Sequence, residues 1–492
     1  MPKLFYSFCL IILSLPLLAQ NDSDRPYCGT DMGVSPWLRD FQSRIDQTPR
    51  NDDMLFLPVQ VHVVGTDEGT GYLSRRGVLD AFCTLNEDFL QANMQFFLAN
   101  PINYINSTLY YDHDFDAGYD MMAENNFPNA INCYIVESPA GNCGYFFPGV
   151  DGIALAKGCT QPGDHTWAHE VGHFLSLPHP FVGWEGTESD FDYTAPAPTS
   201  IGGRAVERVD GSNCTFAADG FCDTPPDYLS FRWSCNTDSV SSVQQTDPTG
   251  ATFVSDGRLF MSYSNDACTT RFSDDQIAAM RANVEEVRPE LLTTPPVPED
   301  ITLDSPEELE VLSPEEGELI GTSNVTLEWE PIANATHYIV QINPFNIFSI
   351  IFEEQLVEGN SVVITDLDAD ETYYWRVRPY NHYQTCTQFT EPASFNTSTI
   401  LSANQLSDNE VLELFPNPVT GNVLQMNIRL EEARTINWQL MDATGALLRQ
   451  DALGGTTGLQ RVGLPVADLP AGVYFVQILT TDRQFIRKVL VQ

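Results

Sequence analysis

Basic side chains are scarce in this chain. Its 492 residues carry 24 lysines and arginines against 67 aspartates and glutamates, a formal charge of -43. The only lysines are Lys3, Lys157 and Lys488. Such a surface repels phosphate backbones, which argues against nucleic acid as a partner. The excess acid reads first as a well-solvated extracellular surface, and adaptation to salt or carboxylate sites for Ca²⁺ are compatible with it. Long apolar runs are lacking too. Leu4 to Leu18 is the one extended apolar stretch, and it is short for a spanning helix. With Lys3 before it and Ala19 followed by polar Gln20-Asn21-Asp22-Ser23, it reads as a secretory signal over residues 1–19. Cys9 lies inside that signal and not just after a cleavage site, so a lipoprotein is not indicated. No transmembrane segment is expected in the mature chain.

A chain of this length exceeds one ordinary core, and about two to four domains are expected. Without Cys9, ten of the 11 cysteines remain in an exported chain, where disulfides persist. Eight of these, Cys83, Cys133, Cys143, Cys159, Cys214, Cys222, Cys235 and Cys268, fall between residues 53 and 292. They are expected to pair among themselves, with connectivity left open. Cys28 and Cys386 are left over.

The chemistry concentrates in His169-Glu170-Val171-Gly172-His173 and the residues after it. His169 and His173 are four apart, so on a helix both imidazoles leave one face and can share a metal ion. Glu170 then points at a water on that metal rather than at the metal. Pro178 ends the helix, and His179 can swing back as a third ligand. Three neutral nitrogens with one open position suit a catalytic Zn²⁺, which lowers the pKa of its water to about 7. The residues therefore point to a metallopeptidase, and a protein or peptide is the expected substrate. Asp164 is a fair N-cap for the zinc helix, which is expected to reach about Leu177.

A second element, Leu259-Phe260-Met261-Ser262-Tyr263-Ser264, resembles the Met-turn of metzincins, whose methionine packs beneath the zinc. Together with Leu57-Pro58-Val59-Gln60-Val61-His62-Val63-Val64, Tyr145-Phe146-Phe147-Pro148-Gly149, Cys222-Asp223-Thr224-Pro225 and the segment after Met261, these motifs resemble the pappalysin family of secreted metzincins over about residues 53–285. The resemblance implies a secreted zinc endopeptidase with His169, His173 and His179 on the metal, Glu170 as general base and Tyr263 as a donor to the oxyanion. It also implies a Cys235–Cys268 bridge. Structural Ca²⁺ held with Asp219 and Thr224 is a further implication. Arg25-Pro26-Tyr27-Cys28-Gly29-Thr30 resembles a prosegment in which the Cys28 thiolate fills the open zinc position, keeping a zymogen silent. One departure stands out: Ser176 occupies the place of a motif glycine, where a non-Gly residue at positive φ costs about 1–3 kcal/mol. Ser176 favours a rival reading, a zinc-binding but weakly active adhesive scaffold, against which the intact Glu170 speaks.

The expected architecture is multidomain, an α+β metzincin-like catalytic domain followed by two β-sandwich domains. The signal (1–19) and prosegment (20–52) precede the catalytic domain over 53–292. Phe56–Val64 and Ile131–Val136 read as strands, residues 75–91 as a helix, and Ile153–Ala156 as the edge strand along which substrate lies. Thr293-Thr294-Pro295-Pro296-Val297-Pro298 marks a stiff linker over 293–302. Alternating runs such as Tyr373-Tyr374-Trp375-Arg376-Val377-Arg378 argue a sandwich over 303–398 that resembles a fibronectin type III domain. Leu414-Phe415-Pro416-Asn417-Pro418 and Leu469-Pro470-Ala471-Gly472-Val473-Tyr474-Phe475-Val476 resemble the C-terminal sorting domain of type IX secretion, over 411–492. That resemblance implies the secretion machinery as a partner, and a secreted or surface-bound product exported through periplasm and outer membrane.

Overall fold

A computed structural model describes residues 27–30, 33–48, 51–187, 190–292, 301–303, 310–321, 324–348, 351–365, 367–398, 411–443, 446–479 and 484–492. The signal, the start of the prosegment and most of the linker lie outside the described residues. Two compact units are present: Met1–Leu303 with Tyr380–Thr387, and Asp304–Pro379 with Gln388–Gln492. No described helix is long and apolar enough to cross a membrane.

The first unit opens with α1 (Pro36–Arg44), a helix within the span 20–52 expected as a prosegment. Pro36 starts it, Ser35 caps it by accepting from Leu38 N, and Leu38 and Phe41 are fully buried. Strand β1 (Leu55–Gly65) and helix α2 (Arg75–Phe89) follow, close to the expected spans. The longer elements that follow include β2 (Met94–Leu98), β3 (Asn103–Asn106), α3 (Phe115–Asn125), β4 (Ile131–Val136), β5 (Gly144–Phe147), β6 (Gly152–Ala156), α4 (Thr166–Phe174) and α5 (Asp274–Glu286). The sheet runs β2–β1–β4–β6–β5, and β3 also pairs with β1. Only β5 is antiparallel to its neighbour. Helix-covered parallel strands are buried on both faces, as every residue of β4 and β6 is; the polar exception in β4, Asn132, accepts from Phe127 N at 2.7 Å.

This order corrects the edge strand. Ile153–Ala156 lies inside the sheet between β4 and β5, and the free edge belongs to β5. Disulfide pairing also differs from expectation. Cys143–Cys159, Cys214–Cys222 and the implied Cys235–Cys268 are bridged, but Cys83 pairs with Cys386 and Cys133 stays a free, buried thiol. Cys133 sits in the middle of β4, where it accepts from the Trp167 indole N–H at 3.2 Å. Cys386 is reachable because Tyr380–Thr387 folds with the first unit: the amide of Leu98 donates to His382 O and Gln95 Nε2 donates to Tyr383 O. The span 303–398 is therefore not one uninterrupted domain.

In the second unit, strands Val311–Ser313, Val325–Trp329 and Ser361–Ile364 form one sheet. Glu318–Gly321, His337–Asn343, Glu353–Val357, Thr372–Tyr380 and Ala393–Ser398 form another. Residues from both, including Leu327, Trp329, Val340, Trp375 and Phe395, share one buried cluster, as period-2 patterning requires. The C-terminal residues form a single five-stranded sheet with its own core, built on two long strands, Val423–Asp442 and Leu447–Pro465, whose pairing slips register between Leu430 and Arg434.

Candidate metal centre

Helix α4 positions the first two histidines. Every one of its residues is buried, because it packs between the sheet and the loop carrying Met261. It begins later than expected: His165 precedes it without a side-chain cap, and Asp164 instead accepts from Gln161 N at 2.8 Å. It also ends sooner, at Phe174. There Leu177 N donates to Gly172 O and Ser176 N to His173 O, both at 2.9 Å. Those two bonds form a Schellman closure, with Ser176 at φ 77° in the left-handed position that glycine normally takes. Asn283 Nδ2 donates to Ser176 Oγ at 2.7 Å and holds it there. The turn also serves the site, since Leu177 O accepts from His173 Nδ1 at 2.7 Å. Gly172 is required for packing: a Cβ there would lie 2.4 Å from Met261 Sδ.

His169, His173 and His179 converge. Their Nε2 atoms are 3.1, 3.0 and 3.3 Å apart, and all three rings are buried. His169 Nδ1 faces Phe260 O and His173 Nδ1 faces Leu177 O, each at 2.7 Å. A carbonyl only accepts, so both Nδ1 atoms carry the hydrogen and both Nε2 atoms present lone pairs to one another. Burial, followed by the charge of His179, pushes both rings well below the usual imidazole range, so neither carries a second proton. Neutral lone pairs at this distance repel unless a cation lies between them. Ligand nitrogens of a tetrahedral zinc lie ~3.3 Å apart, so the donor set fits Zn²⁺.

The N-terminal segment completes the cluster. Cys28 Sγ lies 3.5 Å from His173 Nε2, and Cys28, His169, His173 and His179 place their ligand atoms within 4.8 Å of one another. Sulfur and nitrogen on one tetrahedral zinc are ~3.5 Å apart. Cys28 is bridged to Gly144 on β5, with Gly29 N donating to Gly144 O at 2.9 Å and Gly144 N to Tyr27 O at 3.2 Å. The segment thus covers the free edge of the sheet. Thr30 Oγ1 donates to Glu170 Oε2 at 3.0 Å and accepts from Phe146 N at 2.8 Å.

Glu170 is fully buried, and its Oε1 has no hydrogen-bond partner. Burial pushes its carboxyl up to about 8, against the bonds from Cys28 and Thr30. Burial and the Glu170 charge push the Cys28 thiol well up. A divalent cation at the cluster would reverse both shifts, because its charge favours thiolate and carboxylate. Tyr263 stacks edge-on against His179 with centroids 4.9 Å apart and donates its hydroxyl to Cys28 O at 3.3 Å.

Asp219 and Thr224 also come together. Asp219 is buried, and its carboxylate accepts from Thr224 Oγ1 at 3.0 and 3.1 Å and from Phe221 N at 3.0 Å. Burial raises Asp219 to about 7, and burial with the Asp219 charge raises buried Glu207 to about 9. Neither acid makes an ion pair among the described residues.

Comparison with known proteins matches residues 413–492 to the secretion system C-terminal sorting domain family. An extracellular metalloprotease of Pyricularia oryzae is similar at 26% identity over 254 residues, covering 48% of this chain and 76% of that protein. One from Arthroderma gypseum is 28% identical over 241 residues, covering 45% and 69%, and one from Verticillium alfalfae is 26% identical over 288 residues, covering 52% and 87%. A two-domain fibronectin type III segment of chicken tenascin is similar at 16% identity and TM-score 0.16, over 38% of this chain and 99% of that one. A score that low carries no argument about the fold. The chain is exported. Its tail directs type IX secretion to the cell surface or the medium, and its likeness to extracellular metalloproteases supports a secreted metalloprotease.

Several contacts of the site are not encoded in the local sequence. Thr30 touches Glu170 because the N-terminal segment lies along β5. Gly144 sits so close to Glu170 that a Cβ there would be 2.9 Å from its Cγ and Oε1. Asn283 reaches Ser176 from α5, over a hundred residues further on.

Proposed function

We propose that this chain is a zinc endopeptidase made as a latent precursor, with His169, His173 and His179 as metal ligands and Glu170 as general base. The observation that carries the reading is the convergence of three Nε2 atoms within 3.0–3.3 Å, with two Nδ1 atoms already committed to carbonyls. When bound, zinc supplies a Lewis acid that polarises a carbonyl and makes a water nucleophilic at neutral pH.

The remaining work falls to the protein. Glu170 accepts the proton of the attacking water on its unpartnered Oε1 and returns it to the leaving amine nitrogen. Tyr263, whose hydroxyl reaches a main-chain carbonyl beside the cluster, donates to the oxyanion. β5 offers unpaired backbone groups along which an extended peptide can lie once the N-terminal segment leaves. Until then Cys28 would supply a fourth ligand to the metal, and Thr30 engages Glu170.

Ca²⁺ at Asp219 and Thr224, with Glu207 beside them, is a second metal reading, supported by two buried acids that make no ion pair among the described residues, although the Arg204 charge acts on Asp219 from nearby. The adhesive-scaffold alternative predicts zinc without turnover. Digestion of an unfolded protein by the trimmed chain, with and without chelator, separates them. Chelator-sensitive cleavage restored by zinc supports the peptidase, and a zinc-loaded chain that cuts nothing refutes it.

A further inference from the structure

We infer that the recess filled by Tyr27 is a substrate side-chain pocket flanking the scissile bond, and that it selects an aromatic residue, phenylalanine or tyrosine. The inference rests on the peptidase reading above. Tyr27 is the residue next to Cys28, and its carbonyl accepts from Gly144 N on β5. Its backbone lies in the edge groove and its side chain enters the wall one residue from the metal cluster. A substrate that pairs with β5 and brings a peptide bond to that cluster sets a neighbouring side chain over the same recess.

The walls of the recess are suited to a ring. Tyr27 is only 4% exposed. The Arg232 guanidinium carbon stands 3.9 Å from its ring centroid, and the rings of His169 and Tyr263 meet it edge-on at 5.0 and 5.4 Å. Arg232 is fixed in place by an ion pair with Asp266 and by donating to Ser264 O at 2.7 Å. A guanidinium held over an aromatic face is a favourable cation–π arrangement, and holding it in advance limits the entropy lost on binding. The Tyr27 hydroxyl is buried near Thr166 and Arg232 without a well-formed hydrogen bond to either. The ring, not the hydroxyl, is therefore what the recess recognises, and phenylalanine should serve as well as tyrosine. The space continues into a cavity of about 570 Å³ lined in part by Asp164, Thr166 and Trp233.

Other side-chain classes fit less well. A lysine or arginine would meet the Arg232 guanidinium, and of the two acids on the cavity lining Asp266 is already paired, which leaves Asp164 alone to attract it. An aspartate or glutamate would face Asp164 and Asp266. An aliphatic side chain fills space but forgoes the stack.

The test uses the full chain after the N-terminal segment has been cut and removed, loaded with zinc. It digests a random peptide library, and the new termini are sequenced. Phenylalanine and tyrosine together should be enriched at least ~10-fold over lysine and aspartate at one of the two positions flanking the cut. Arg232→Lys and Arg232→Gln should reduce that ratio severalfold, a comparison made within one digest and so independent of total rate. Binding of a hexapeptide copying residues 25–30, with serine at the Cys28 position, is measured on the same protein without requiring cleavage. Its Tyr27→Phe version should bind equally, and Tyr27→Ala at least ~10-fold more weakly. Cleavage without aromatic enrichment overturns the inference and leaves the peptidase reading intact. Equal binding of the Tyr27→Ala peptide overturns it too. Aromatic-dependent binding with no cleavage removes the peptidase reading instead.

Discussion

Replacing Cys28 by alanine should produce a precursor that is partly active. Besides the thiol, five hydrogen bonds hold Tyr27–Thr30: Gly29 N to Gly144 O, Gly144 N to Tyr27 O, Phe146 N to Thr30 Oγ1, Thr30 Oγ1 to Glu170 Oε2, and Tyr263 Oη to Cys28 O. At about 1 kcal/mol each they contribute about 5 kcal/mol, and burial of the Tyr27 ring adds about 2. Ordering four residues costs about 1.5 kcal/mol apiece, about 6 in all. The balance without the thiol is therefore about 1 kcal/mol in favour of the closed segment, which leaves roughly one precursor in six open. The uncut Cys28→Ala chain should show roughly a sixth of the activity of the trimmed enzyme, and adding Thr30→Ala should move it close to full activity. Initial rates on a fluorogenic peptide, compared at equal zinc content, provide the assay. If uncut Cys28→Ala stays as silent as the unmodified precursor while the trimmed enzyme works, the thiol contributes nothing to latency. Full activity in Cys28→Ala alone would show that the hydrogen bonds contribute nothing.

Glu170→Gln should keep a full equivalent of zinc and lose at least ~10²-fold in peptidase activity, measured as metal content and rate on one sample; near-normal turnover would remove Glu170 from the chemistry. His179→Ala leaves two protein nitrogens on the metal, so in the trimmed chain zinc should be lost on dialysis against a mild chelator that leaves the unmodified enzyme loaded. Ser176→Gly relieves a positive φ but forgoes the bond from Asn283 and frees the unfolded chain, so stability should change by less than ~1 kcal/mol in denaturant unfolding. Ser176→Ala keeps the strain and loses the bond. Its stability should fall by ~1–2 kcal/mol, and no change would show that the Asn283 contact does not hold the turn.

The sequence by itself singled out His169, His173 and His179 as a set, because helical periodicity puts the first two on one face and Pro178 forces the chain to turn before the third. Apolar runs likewise marked β1 and β4, alternation marked the sandwich strands, and the sorting tail was legible from the resemblance carried by Leu414–Pro418 and Leu469–Val476. Tertiary structure decided what depends on partners distant along the chain. Which strand forms the free edge follows from the sheet order, and no local pattern encodes that order: Ile153–Ala156 and Gly144–Phe147 are both short apolar runs. The Cys83–Cys386 pair depends on one segment of the C-terminal half folding with the first unit, which cysteine counting along the chain could not anticipate. Ser176 is the sharpest case. Its residue type alone argued against the turn, whereas the Schellman bonds and Asn283 show the turn formed, because a strained backbone persists wherever its surroundings hold it.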